Sequence, residues 1–307
     1  MKKEQIAQAF QGLQDDICRA LEAADGEGRF LEDQWERPGG GGGRSRVIKG
    51  AVIEKGGVNF SAVHGELNAA AAKALKLGEG GPFFATGVSI VLHPHNPWVP
   101  IIHMNVRYFE MDAERWWFGG GIDLTPHYII PTDAQWFHQQ LAAVCDQAHP
   151  EYYTRFKKWA DDYFYLRHRD ETRGVGGIFF DRLGPVADLT KDQLWDFTIG
   201  VGKTFAPTYT ELMDRHRDDD FQEEHVNWQR LRRGRYVEFN LVWDRGTKFG
   251  LETNGRTESI LMSLPPLAGW EYSHTPKQGS LEARTLSMLK KEIDWLHHPP
   301  LQAAANP

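Results

Sequence analysis

The sequence predicts an α+β fold: a single domain in which a large, mostly antiparallel β-sheet is flanked by α-helices. Three observations carry this prediction. Apolar residues alternate with a period close to two from Lys49 to Tyr128, and they recur at helical spacing before and after that stretch. Neither an internal repeat nor a sharp change of composition divides the 307 residues. The composition, 41% hydrophobic and 25% charged, is that of a globular chain with a substantial core.

Taken in order, Ile6, Phe10, Leu13, Ile17 and Leu21 predict an amphipathic N-terminal helix. The run Gly39 to Gly43, followed by Arg44 and Arg46, reads as a flexible segment over 39–46, either a slack linker or a mobile flap. The flanking arginines suit a flap that closes on an anion. In "GVSIVLH" (Gly87 to His93), Val88, Ile90 and Leu92 alternate with Ser89, Val91 and His93. In "IIHMNVRYF", Ile102, Met104, Val106 and Tyr108 share one face, and His103, Asn105 and Arg107 share the other. That second face is either the solvated side of a half-covered sheet or a functional row. Phe137, Leu141 and Val144 mark a helix, and Tyr152, Phe156, Trp159 and Tyr163 mark another. A helical pattern continues through Leu194, Phe197 and Val201, with an interruption expected at Pro207. "RYVEFNLVWDRG" predicts a strand, Asp244-Arg245-Gly246 a turn, and "TKFGLET" the returning strand of a hairpin. "NGRTESILMSL" predicts a helix start, and Leu286, Leu289, Ile293 and Leu296 a final helix.

The formal net charge of −7 argues against a nucleic-acid surface or a broadly basic membrane-binding face, so any bound anion must be met by local arginines. Cys18 and Cys145 form no CxxC pair, which fits a reducing cytoplasm. The N-terminus has no apolar signal core, and no apolar run reaches the roughly 20 residues that span a bilayer. No Walker loop, dinucleotide fingerprint or nucleophile elbow is present, so no nucleotide, flavin or serine nucleophile is signalled.

"WWFGGGIDLTPHY" (Trp116 to Tyr128) puts three glycines and Asp123 behind three aromatic residues. Such a stretch is either a turn or bulge, or backbone that a broad flat ligand approaches closely. None of the 13 histidines has a compact metal-ligand spacing. Arginines next to glycines recur at Arg44 and Arg46, Arg245-Gly246 and Gly255-Arg256. With Arg107 they suit a ligand bearing several separate negative charges.

"GVSIVLHPHNPWVPIIHMNVRYF", "WWFGGGIDLTPHY", "KKWADDYFYLRHRDETRGVGGIFFD" and "RRGRYVEFNLVWDRGTKFGLETNGRTESILMSLPP" resemble, in motif and order, the oxygen-dependent coproporphyrinogen III oxidases of bacterial type. The likeness runs from the N-terminal helix almost to the C-terminus. It implies oxidative decarboxylation of two propionates of coproporphyrinogen III to vinyl groups, giving protoporphyrinogen IX, two CO2 and two H2O2 in haem biosynthesis. O2 would be the co-substrate, with no flavin, nicotinamide or haem.

By the same resemblance, His103 is the proton donor, and Asp244, perched beside Arg245 and aided by Asp123, meets the pyrrole N–H groups. Ser89, Asn105, Val106, Arg107, Asn254, Gly255 and Arg256 contact substrate, and Gly119 to Gly121 let the backbone approach the ring. His93, His103, His138 and His168 correspond to ligands of a divalent metal cation, although the separation of the segments argues against one shared ion. Residues 236–271 correspond to a homodimer-forming region, to which His168 is also linked. The chain departs from the family pattern at Arg182, where a second acid is expected, and at Asn254, where glycine is common. A tetrapyrrole carrier and a carbohydrate-active enzyme are rival readings; a pure interaction protein fits least, because the unusual residues lie along strands.

Overall fold

Helix α1 (Lys3–Asp25) buries Ile6, Phe10, Leu13, Ile17 and Leu21 along one side, as their spacing requires. The computed structural model describes residues 1–67, 72, 77, 79–185, 187, 189–252 and 255–299. A seven-stranded antiparallel sheet follows α1: β1 (Leu31–Glu36), β2 (Gly41–Ile48), β3 (Ile53–Leu67), β4 (Gly81–Pro94), β5 (Ile101–Glu110) and β6 (Trp116–Thr125) lie in chain order. The last place is taken by β9 (Gly176–Leu183), beside β6; β7 (Tyr165–Leu166) and β8 (Glu171–Thr172) pair only with each other.

The alternation in β4 and β5 separates the two faces cleanly. Val88, Ile90, Leu92, Ile102, Met104, Val106 and Tyr108 are all buried in the main core with Phe118, Ile122 and Phe180. Packed on that face are α1, α2 (Pro131–Ala148), α3 (Tyr152–Tyr163) and α4 (Lys191–His216). The opposite face is partly covered by α5 (Glu223–Glu238), a π-helical turn (Phe239–Trp243), α6 (Arg245–Glu252) and α7 (Thr257–Leu261). Helix α8 (Leu281–Met288) is the last helix among the described residues. One buried carboxylate ties α1 to the sheet: Asp25 accepts the backbone N–H groups of Gly28, Ala51, Val52 and Ile53 at 2.7–2.9 Å. Burial alone would raise its pKa, but those four donors hold it below the usual carboxylate value.

Several expectations need correction. The hairpin predicted over 236–252 is helical. Buried positions there run Arg232, Arg233, Tyr236, Phe239 and Asn240, a helical spacing, while neighbouring Leu241 and Val242 are both exposed. Contacts of Tyr236 with Val91 and Ile101, and of Phe239 with Phe164, override the strand propensity of the segment. Asp244 is accordingly no hairpin turn but the cap of α6, its Oδ2 accepting the Thr247 N–H at 2.7 Å. Helix α4 passes through Pro207 without interruption. Buried residues lie on both sides of the proline, and Pro207 and Lys203 face solvent, so water can serve the carbonyl that the proline leaves without a donor. Gly39 and Gly40, both at positive φ, form a hairpin turn, and Gly41 to Gly43 begin β2; the run is therefore no linker. The final helix is shorter than expected, ending at Met288 before Ile293 and Leu296.

Candidate functional site

The register of the sheet converts separate sequence motifs into rows across its partly covered face. One row runs Ser45, Asn59, Ser89, Asn105, Gly121 and Phe179. A second, one step along the strands, runs Gly43, Ser61, Gly87, Arg107 and Gly119. On the other side of the first row, Val47, Gly57, Val91, His103, Asp123 and Gly177 are aligned. Antiparallel partners share a face, so the polar residues of β5 lie beside those of β3, β4 and β6. Val106 points the other way and is wholly buried in the core.

The third row holds the most polarised group. Asp123 is 1% exposed, and its carboxylate takes three kinds of bond. His103 Nδ1 lies 2.8 Å from Oδ1. Arg173 donates from Nη2 to both oxygens, at 2.6 and 2.8 Å, and from Nε to Oδ2 at 3.1 Å. Arg173 also donates to Asn240 Oδ1 at 2.9 Å, and the rings of Phe164, Tyr236 and Phe239 surround its guanidinium at 4.4–4.7 Å. Burial opposes the charged form of Asp123, but Arg173 and His103 outweigh it and hold the carboxyl below its ordinary pKa. A carboxylate at Nδ1 orients the imidazole and leaves Nε2 for other work; the side chain is 22% exposed.

Around this centre, Asp244 accepts the Tyr163 hydroxyl at 2.7 Å and the Thr247 N–H. Despite burial these donors, with the nearby Arg173 charge, keep its pKa low. Arg245 lies over the Tyr163 ring at 5.1 Å. Arg107 donates to Asn105 Oδ1 and to Asp181, both at 3.0 Å. Ser89 faces Asn105 directly across the β4–β5 ladder. The three glycines of β6 make room for the protein's own atoms: a Cβ on Gly119 would strike Asp181 and Arg107, one on Gly120 the Asn105 carbonyl and the Phe180 ring, one on Gly121 the Ile178 carbonyl and Phe179. Arg256 is ion-paired with Asp33 on β1, and Gly255 donates its N–H to the Gly250 carbonyl at 2.7 Å. Asn254 lies outside the described residues. Arg44 and Arg46 each pair with both Asp15 and Glu32, so each is held by two carboxylates. Arg182 stacks over Trp117 at 4.9 Å, in a positive-φ conformation.

The four candidate metal-binding histidines occupy different settings. His93 is fully buried, 2.8 Å from the Ser263 carbonyl, with its pKa pushed down to about 3 by burial. His138 uses both ring nitrogens on the Tyr153 hydroxyl and the Val175 carbonyl, and burial lowers it to about 4. His168 lies between Glu238 and Trp243, at 2.7 and 2.9 Å. Among the described residues no group of three or more His, Cys, Asp or Glu side chains is arranged to hold a metal ion. The four histidines therefore do not fit one shared cation.

As members of the site, Arg173, Asn240 and Tyr163 did not stand out in the sequence. A signal existed for the first: Arg173-Gly174 repeats the arginine–glycine adjacency noted elsewhere. Gly174 is required there because a Cβ would collide with the Leu124 carbonyl, and that close approach brings Arg173 beside Asp123.

Comparison with known proteins agrees along nearly the whole chain. The family described as Coproporphyrinogen III oxidase matches residues 5–295. An oxygen-dependent coproporphyrinogen-III oxidase of Parasynechococcus marenigrum is 49% identical, over 96% of this chain and 88% of its own. Coproporphyrinogen-III oxidase 1, chloroplastic, of Arabidopsis thaliana is also 49% identical, over 94% of this chain and 78% of its own. The oxygen-dependent coproporphyrinogen-III oxidase, chloroplastic, of Nicotiana tabacum is 48% identical, with 92% and 75% covered.

Proposed function

The chain belongs to the coproporphyrinogen III oxidase family, and from that premise we propose how its residues serve the family's oxygen-dependent reaction. It is an oxidoreductase that uses O2 to convert coproporphyrinogen III to protoporphyrinogen IX, in haem and porphyrin biosynthesis. For each of two propionates, the substrate loses CO2 and one proton from the β-carbon, and two electrons pass to O2. That proton and a second, taken up from protein or solvent, complete H2O2. A porphyrinogen is electron-rich, so the protein's tasks are to position it, support developing charge and deliver the proton.

The observation that carries the assignment of roles is the buried Asp123, bonded at once to His103 and Arg173. His103, oriented through Nδ1, acts as proton donor from Nε2. Asp123 and Arg173 are positioning residues for that ring. Asp244 keeps lone pairs beyond those used by Tyr163 and Thr247, and these accept pyrrole N–H groups while its charge supports the electron-poor ring. Arg107, Arg245 and Arg256, with Ser89, Asn105 and Gly255, bind propionates and ring edges; Arg107 and Arg256 exchange Asp181 and Asp33 for substrate carboxylates. No step here runs through a metal.

The protein forms a homodimer through 236–271, where Leu241, Val242, Phe249, Leu251, Leu267 and Trp270 present exposed apolar surface. It works in the cytoplasm, which suits two buried free cysteines; no helix among the described residues is long and apolar enough to cross a membrane. The test is aerobic incubation with coproporphyrinogen III: the tetrapyrrole loses mass as two vinyl groups form, with matching O2 uptake and CO2 release. An unchanged tetrapyrrole mass refutes the assignment.

A further inference from the structure

A cleft of about 650 Å³ opens between the β1–β2 edge of the sheet and the 256–262 segment. Four cations line it, Arg29, Lys49, Lys55 and Arg256, against two carboxylates, Asp33 and Glu258. Arg256 is paired with Asp33, the partner it exchanges for a carboxylate in the reading above. The other three are different. Among the described residues Arg29 donates to the carbonyls of Gly26 and Gly28, and half-buried Lys55 donates to the Leu264 carbonyl at 2.7 Å. None of Arg29, Lys49 and Lys55 is ion-paired among the described residues. In a chain of net charge −7, four cations against two carboxylates, one of them Glu258 acting on Lys55, leave a local excess of positive charge. Burial, then the neighbouring Lys49, lower the pKa of Lys55 by more than Glu258 restores, a penalty that an anion in the cleft would offset.

We propose that this cleft is a second carboxylate-binding position for the substrate, with Lys55, Lys49 and Arg29 receiving a propionate other than the one under reaction. The proposal rests on the reaction assigned above. Val47, on the cleft wall, stands in the same lateral row as Gly57, Val91 and His103. Three strand spacings separate it from His103, on the order of 14 Å, a span suited to a macrocycle with extended acid arms. Between the two ends Met262 lies over Gly57 and Tyr236 packs on Val91; the flexible Met262 thioether can yield to a ring, which then passes outside Tyr236. The cations sit beside Leu31, Val47, Ile48 and Leu261, so the cleft favours a carboxylate carried on a hydrocarbon arm over a free inorganic anion.

The test pairs turnover of coproporphyrinogen with fluorescence binding of the oxidised, unreactive coproporphyrin. Lys55→Met keeps the aliphatic stem and removes the charge; KM and the porphyrin Kd should both rise roughly tenfold to a hundredfold, with kcat held within about twofold. Lys55→Arg should restore much of the loss. Lys49→Gln, an exposed change that places no demand on folding, should weaken binding less and flatten its salt dependence. Unchanged KM and Kd in folded Lys55→Met, or in Lys49→Gln if Lys55→Met does not fold, overturn the proposal. So does a Lys55→Met protein that loses inorganic phosphate binding while keeping porphyrin affinity. A wild-type protein that consumes no O2 with coproporphyrinogen defeats the reaction assignment instead, and leaves the porphyrin-binding arm to judge the cleft separately.

Discussion

Arg173 and Asp123 are 3% and 1% exposed, and each supplies the other's nearest opposite charge. Arg173→Met would leave the aspartate ionised without its main partner, or force it to take up a proton. Removing one member of a buried pair costs about 3–5 kcal/mol. Asp123→Asn should cost a similar amount, because it strands a guanidinium within three aromatic rings. Independent effects would bring the double variant to about 6–10 kcal/mol, enough to unfold most domains. The structure predicts otherwise: once one charge is gone, removing the second relieves the uncompensated burial. The double variant should therefore be little worse than either single one, with a coupling of at least about 2 kcal/mol. Urea unfolding followed by tryptophan fluorescence, at one fixed protein concentration, measures the full cycle. Additivity within about 0.5 kcal/mol would refute the claim that these two charges form one electrostatic unit.

Asp244→Asn should preserve the cap on α6, since asparagine caps as well as aspartate, while turnover falls because the charge facing the pyrroles is lost; a folded variant with wild-type turnover ends that role. Asp25→Ala deprives four backbone N–H groups of their acceptor and should cost about 3 kcal/mol or more by denaturant titration. Because its folded pKa is lowered, the Asp25 contribution is complete above the unfolded value of about 4 and disappears as pH falls through the folded one. His216 shows the opposite sign: held between Asp133 and Asp219, its pKa is raised. Its contribution is complete below about pH 6.5 and is lost as pH climbs through the folded value, so His216→Gln should flatten Tm between about pH 6 and 9.

Strand alternation in β4 and β5 was legible because a half-covered sheet imposes period two on side-chain polarity, and the same pattern placed His103, Asn105 and Arg107 on one face. The helices were legible where burial follows one stripe, as in α1. The segment from Tyr236 to Glu252 was not, because aromatic and β-branched residues favour strands locally, whereas the contacts of Tyr236 and Phe239 that fix it as helix come from distant parts of the chain. Glycine spacing pointed to close approach but could not say by what; the answer at Gly119 is Arg107 and Asp181, more than sixty residues apart in sequence from each other. The Arg173–Asp123 contact spans 50 positions and is set by the packing of β6 against the loop before β9, which no local pattern encodes.

The cross-strand rows have a consequence for how the gene can change length. Every member of a row reaches its neighbours only through pairing phase, so deleting a single codon inside β4, β5 or β6 would turn the following side chains over, sending arginine and histidine towards the oily interior and isoleucine towards the ligand. Insertions and deletions between Gly81 and Thr125 should thus be survivable only at the hairpin tips, near 95–100 and 111–115, where phase can be restored before the next strand begins.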